Sequence, residues 1–197
     1  LLLDRLNSTF GSDAGQLCDF GSFLVQRCFL VAVSTPSQQS AFRVFSVLNN
    51  RGLDLLPSDI IKAEIIGRVS PERQGEFTEK WEEIEVQTGR SGFNDLFGHI
   101  RMIYAKEKAK RALLEEFKAH VLSKITSPED LIEKVLEPYA EAYLIATTQQ
   151  YVSTKNAEDV NYLLKWLKRI DNSDWLPSAI LFLSQKKDDP QYVLWFF

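Results

Sequence analysis

The sequence predicts a mainly α protein, an irregular array of several helices with at most one or two short strands. Three observations carry this. Glycine and proline number only 9 and 7 in 197 residues, while leucine, isoleucine, glutamate and lysine are abundant, a composition that favours helix. Apolar residues recur at i, i+3, i+4 and i+7 over most of the chain. Helix-start signals, a capping side chain followed by proline or acidic residues, punctuate the same stretches. With 45% apolar and 25% charged residues, the chain can bury a core of its own.

The elements follow in order. "LLLDRLNSTF" (1–10) reads as the tail of a helix, followed by a polar loop from Gly11 to Gly15. "CFLVAVS" (28–34) is a short β-rich run ended by Thr35 and Pro36 and predicts a buried strand, whose pairing strands must come from elsewhere because a lone strand leaves both edges unsatisfied. Ser37 caps an expected helix with Ala41, Val44, Phe45 and Leu48 on one face and Gly52 as its left-handed stop. Pro57 opens the next, with Asp59 in its first turn and Ile61, Ile65 and Val69 down one side. "SPERQ" starts a third, carrying Phe77, Trp81 and Ile84. The cleanest stripe is Phe93, Leu96, Phe97, Ile100, Ile103 and Tyr104; a basic run, Lys106 to Arg111, separates it from the segment Leu113 to Ile125. In "TSPEDLIEKVL", Ser127 is the cap, Pro128 the first residue, and Glu129 and Asp130 face the positive end of the dipole. Pro138 is expected to kink or break that helix. Asn156 opens a helix with Val160, Leu163, Leu164, Leu167 and Ile170, and "DNSDWLPSAILFL" begins a further one.

Charge and cysteine usage exclude several classes. The balance of 23 basic and 27 acidic residues gives a net charge of -4, so any grip on nucleic acid must be local. Cys18 and Cys28 are too few for a disulfide framework and lack metal spacing; they read as small buried hydrophobes in a reducing cytoplasm. The longest apolar run, Cys28 to Val33, is far short of the roughly 20 residues needed to span a bilayer. A start on Leu1, a single methionine at Met102 and an apolar "LWFF" end read as a fragment of a longer protein.

Chemistry-bearing constellations are sparse. His99 and His120 have no second ligand at metal spacing and are expected in structural or surface roles, so no metal site is predicted. There is no H-E-x-x-H, Walker loop, G-x-G-x-x-G or G-x-S-x-G. The E-x-K triplet within "EEFK" (115–118) lies in helical context, where its charges diverge by about 200° instead of meeting at a cation. Lys106, Lys108, Lys110 and Arg111 of "KEKAKR" are candidate nucleic-acid contacts, against the commoner reading of a charged exposed turn. In "AFRVFSVLNNRGLDLLPSDIIKAEII" (41–66), Asn49, Arg51, Gly52, Asp59 and Lys62 collect where one helix ends and the next begins. They form either a folding joint, with Asp59 and Lys62 as an i, i+3 pair, or the rim of an anion site.

That stretch resembles the A-x-x-x-F-x-x-L-N-x-R-G-x-x-L-x-x-x-D-x-x-K signature of the ParB-like N-terminal domain family of GmrSD-type modification-dependent restriction endonucleases, through Ala41, Phe45, Leu48, Asn49, Arg51, Gly52, Leu55, Asp59 and Lys62. "LLLDRLN" looks like the helix that follows the family's D-G-Q-Q-R-L-T-T-L element, and "WLPSAILFL" resembles a late proline-containing helix. The resemblance implies a truncated α/β ParB-like domain, with residues 1–70 as its C-terminal part and 71–197 as a helical subdomain. It implies a full-length protein that binds a nucleoside triphosphate with a divalent cation and acts on DNA through a nuclease domain or subunit. Here the D-G-Q-Q-R element and the HNH-type nuclease motif are absent, so the fragment is expected to be catalytically inert, with Asn49 and Arg51 lining a nucleotide pocket, Arg51 on phosphate, and Gly52, Asp59 and Lys62 structural. The rival expectation is a non-enzymatic helical scaffold that binds another protein, supported by Trp175 and Trp195.

Overall fold

Proline begins helix after helix in this chain. It supplies a preset φ at a position whose N–H has no intrahelical partner, and it occupies the first turn of the helices Pro57–Ile66 (α3), Pro128–Leu131 (α7), Leu176–Lys186 (α10) and Pro190–Phe196 (α11). The computed structural model describes residues 2–11, 13–29, 34 and 56–197. The chain forms two compact units, Leu1–Asp54 and Leu55–Phe197.

In the first unit the described helices are Leu2–Phe10 (α1) and Ala14–Arg27 (α2). The expected loop is therefore only the short link between them. Asp13 caps α2, its carboxylate accepting the N–H groups of Gly15 and Gln16 at 2.9 and 3.1 Å. The cysteine expectation fails: Cys18 and Cys28 are both exposed, because α2 buries none of its side chains among the described residues. Cys28 ends α2 in extended backbone. The remainder of the expected strand, Leu30 to Val33, lies outside the described residues, as does the helix expected from Ser37 to Gly52. No strand occurs among the described residues, and none of their helices is long and apolar enough to cross a membrane.

The second unit realises the helical stripes. α3 is followed by Gln74–Thr88 (α4), Arg90–Ala105 (α5), Leu113–His120 (α6), α7, Glu137–Thr148 (α8), Ala157–Leu167 (α9), α10 and α11. Gly89 lets α4 turn directly into α5, at φ 72° and ψ 152°, a conformation that a Cβ would oppose. Trp81, Phe93, Phe97 and Phe117 are each fully or almost fully buried. Their rings form a chain of contacts with centroids 5.1 to 5.7 Å apart that joins α4, α5 and α6. Ile61 and Ile65 of α3, and Leu164, Ile180 and Leu183 further along, complete the same core. Each fully buried side chain of this size contributes about 1.5–3 kcal/mol.

The helix expected to kink or break at Pro138 loses its regular α geometry just ahead of the ring without its ladder stopping. Between α7 and α8 the backbone widens into a π turn over Ile132–Leu136, and the Glu137 N–H reaches back to the Ile132 carbonyl. A widened turn displaces the carbonyl that the pyrrolidine ring would otherwise strike, so the proline is accommodated. α10 then packs along α8 and α5, which brings the start of α10 beside the middle of α5.

Candidate functional site

The motif positions that the structure describes are locked into the second unit. The Asp59 carboxylate accepts the Leu56 N–H at 2.8 Å, closing the first turn of α3, and pairs with Arg90 at 3.0 Å. Lys62 pairs with Glu82 at 3.0 Å. The expected i, i+3 pair between Asp59 and Lys62 is therefore replaced by two cross-helix pairs, to α5 and α4, with the Asp59 carboxylate already committed to the Leu56 N–H and Arg90. Asn49, Arg51 and Gly52 lie outside the described residues.

The basic run is a fixed loop around a buried ion pair. Arg101 on α5 and Glu116 on α6 are 3% and 5% exposed, and the Arg101 Nε donates to Glu116 Oε2 at 2.9 Å. The other oxygen of Glu116 accepts the backbone N–H of Lys110 at 3.1 Å, while Arg101 also donates to the Glu107 carbonyl. Arg101 and the Lys110 N–H hold the Glu116 carboxyl below its ordinary range. Lys106, in left-handed conformation at φ 57°, ends α5. The side chains of Lys106, Lys108, Lys110 and Arg111 all remain exposed, Lys110 within 2.7 Å of Glu107. His120 Nε2 approaches Glu116 at 3.5 Å, and the groove beside it measures about 320 Å³. The E-x-K triplet diverges as helical geometry requires: Glu116 faces Arg101, and Lys118 turns to Glu64 on α3 at 2.5 Å.

A second cleft was not foreseen from sequence. About 470 Å³ in volume, it is lined by Asn94, Asp95, Gly98 and His99 of α5, Leu113, Tyr143 of α8, and Ser173 and Leu176 at the start of α10. His99 is partly buried here, its ring centroid 6.0 Å from that of Tyr143. Burial lowers its pKa from the ordinary histidine value, with Asp95 opposing the shift. Burial raises the Tyr143 hydroxyl pKa. Asn94 Oδ1 is closed off from solvent and accepts no hydrogen bond among the described residues. The signal available in sequence was the polar set Asn94, Asp95 and His99 grouped around Gly98, opposite the apolar stripe of the same helix.

No group of three or more His, Cys, Asp or Glu side chains that could hold a metal occurs among the described residues. Of the two tryptophans singled out, Trp175 packs against the core, whereas Trp195 is 84% exposed beside Tyr192 and Gln191. No family model, curated protein or solved structure matches the chain.

Proposed function

We propose that this chain is part of a GmrSD-like, nucleotide-dependent and modification-dependent DNA restriction or phage-defence protein, to which it contributes a phosphate-contacting motif and a helical body. The division of labour within the motif supports this reading. Asp59 and Lys62 are engaged in pairs that fix α3 on α4 and α5, so the polar positions remaining for a ligand are Asn49 and Arg51. A guanidinium fork suits phosphate oxygens. The exposed cations of the 106–111 loop add a short surface for DNA phosphates. Nucleotide hydrolysis and DNA cleavage belong to elements outside these residues. The test is triphosphatase activity of the full-length protein: Arg51→Ala should lower it at least about 10-fold, the order of a lost charged contact, and unchanged activity removes Arg51 from that role.

One observation favours a second reading, a helical scaffold for another protein. Trp195 and Tyr192 on α11 stand exposed, as do Tyr162 and Trp166 on α9, and aromatic residues of this kind are enriched at interfaces. The coding sequence upstream of Leu1 separates the two: a D-G-Q-Q-R-like element favours the restriction protein, and its absence favours the scaffold.

A further inference from the structure

The cleft over the middle of α5 carries hydrogen-bonding groups that the fold itself does not use. Asn94 Oδ1 is closed off from solvent and accepts no bond among the described residues, so it lies behind the cleft wall and is not an open acceptor. Beside it stand the exposed carboxylate of Asp95 and the His99 imidazole. The opposite walls are apolar, from Leu113, Leu176 and the ring of Tyr143. The Tyr143 ring is seated by Gly92, where a Cβ would come within 3.2 Å of the Tyr143 hydroxyl oxygen. The start of α10 supplies little to attract an anion, because the Leu176 N–H is spent on the Ser173 carbonyl at 3.0 Å and Pro177 has none. A volume of about 470 Å³ falls within the range of small-molecule sites.

Acceptors on one side and apolar walls on the other define the complement. We infer that this cleft binds a small organic cation, an amidinium or guanidinium on an apolar body, with the exposed Asp95 carboxylate accepting its N–H groups and Leu113, Leu176 and the Tyr143 ring enclosing the body. Carboxylate with planar N–H donors is a charge-assisted match, and an aromatic face adds attraction for a cation. Gly98 makes the site testable: it lines the cleft, and a Cβ built there meets nothing within 4 Å. A leucine at this position starts from that open space and puts an apolar side chain at the cleft wall.

The experiment titrates the full chain with benzamidinium and, separately, with benzoate, following the Asn94 side-chain amide and the His99 ring by NMR. Benzamidinium is expected to give saturable shifts at both residues with a Kd of about 1 mM, as fits a ligand of its size, and benzoate none. Asp95→Asn, at an exposed position, and Gly98→Leu should each weaken binding about 10-fold or more, while the helical circular dichroism is kept. Should Gly98→Leu fail to fold, Asp95→Asn decides alone. Absence of saturable shifts, an equal response to benzoate, or undiminished binding by folded variants overturns the inference.

Discussion

Gly98→Ala isolates one physical quantity, the cost of a glycine inside α5. The residue sits within a helix of 16 residues, Arg90–Ala105, and beyond the helix's own backbone and its chain neighbours no atom lies within 4 Å of the position a Cβ would take. The new methyl therefore neither clashes nor fills a void, and the change in stability reduces to backbone entropy and exposure. Alanine is favoured over glycine in helix interiors by about 0.8–1 kcal/mol. For a chain of this size that corresponds to a rise in Tm of roughly 2–4 °C. Thermal scans by far-UV circular dichroism, with urea titration to verify an unchanged m-value, measure it. Gly92→Ala is the internal control, since its Cβ would press to 3.2 Å on the Tyr143 hydroxyl and 3.4 Å on Cε1, so it should gain less than Gly98→Ala. A Tm at or below wild type for Gly98→Ala refutes both the open space above α5 and the reasoning from it.

Further outcomes follow from the titrating groups. Because the folded His99 has a pKa below the ordinary 6.5, the unfolded chain takes up a proton more readily in that window; stability should fall as pH drops from about 6.5 towards the folded value, by at most about 1.4 kcal/mol per pH unit, and His99→Gln should flatten this slope in urea titrations. Glu116 has the depressed pKa of a bound carboxylate, so its contribution is present above the ordinary 4.5 and is lost as pH falls through the lower folded value. Glu116→Gln should remove that acid-side loss and lower the Tm at neutral pH by several degrees, the direction expected when Arg101 loses its counter-charge. Glu116→Ala, which leaves no acceptor for the Lys110 N–H, should let limited trypsin digestion cut the 106–111 loop faster than in wild type; an unchanged cleavage rate sinks the anchored-loop account.

Much of the second unit was legible because burial imposes a period. The sets Phe77, Trp81, Ile84 and Phe93, Leu96, Phe97, Ile100 repeat at helical spacing, and all seven are buried. Ser127 was legible as a cap because its hydroxyl has one obvious use, and it accepts the Asp130 N–H at 3.1 Å. α2 was hidden by two glycines, Gly15 and Gly21, and by apolar residues without a clear stripe, although Asp13 was a readable cap. Charge partners were misjudged because helical pairing rules are local, whereas Asp59 and Lys62 pair with residues 31 and 20 positions away. The cleft escaped notice for the same reason: Tyr143 and Ser173 are distant in sequence from Asn94 and His99, and only the fold brings them together. Composition revealed the positive charge of the 106–111 loop, but not that Glu116 holds its backbone.

The widened turn ahead of Pro138 also sets an angle. A surplus residue in a helical ladder can in principle slide from one turn to the next, and every such step would rotate the surface beyond it. A pyrrolidine ring tolerates only the place where the ladder already skips a bond, so the surplus is pinned at Ile132–Leu136. The pinned turn thereby sets the rotation at which α8 presents Tyr143 to Gly92.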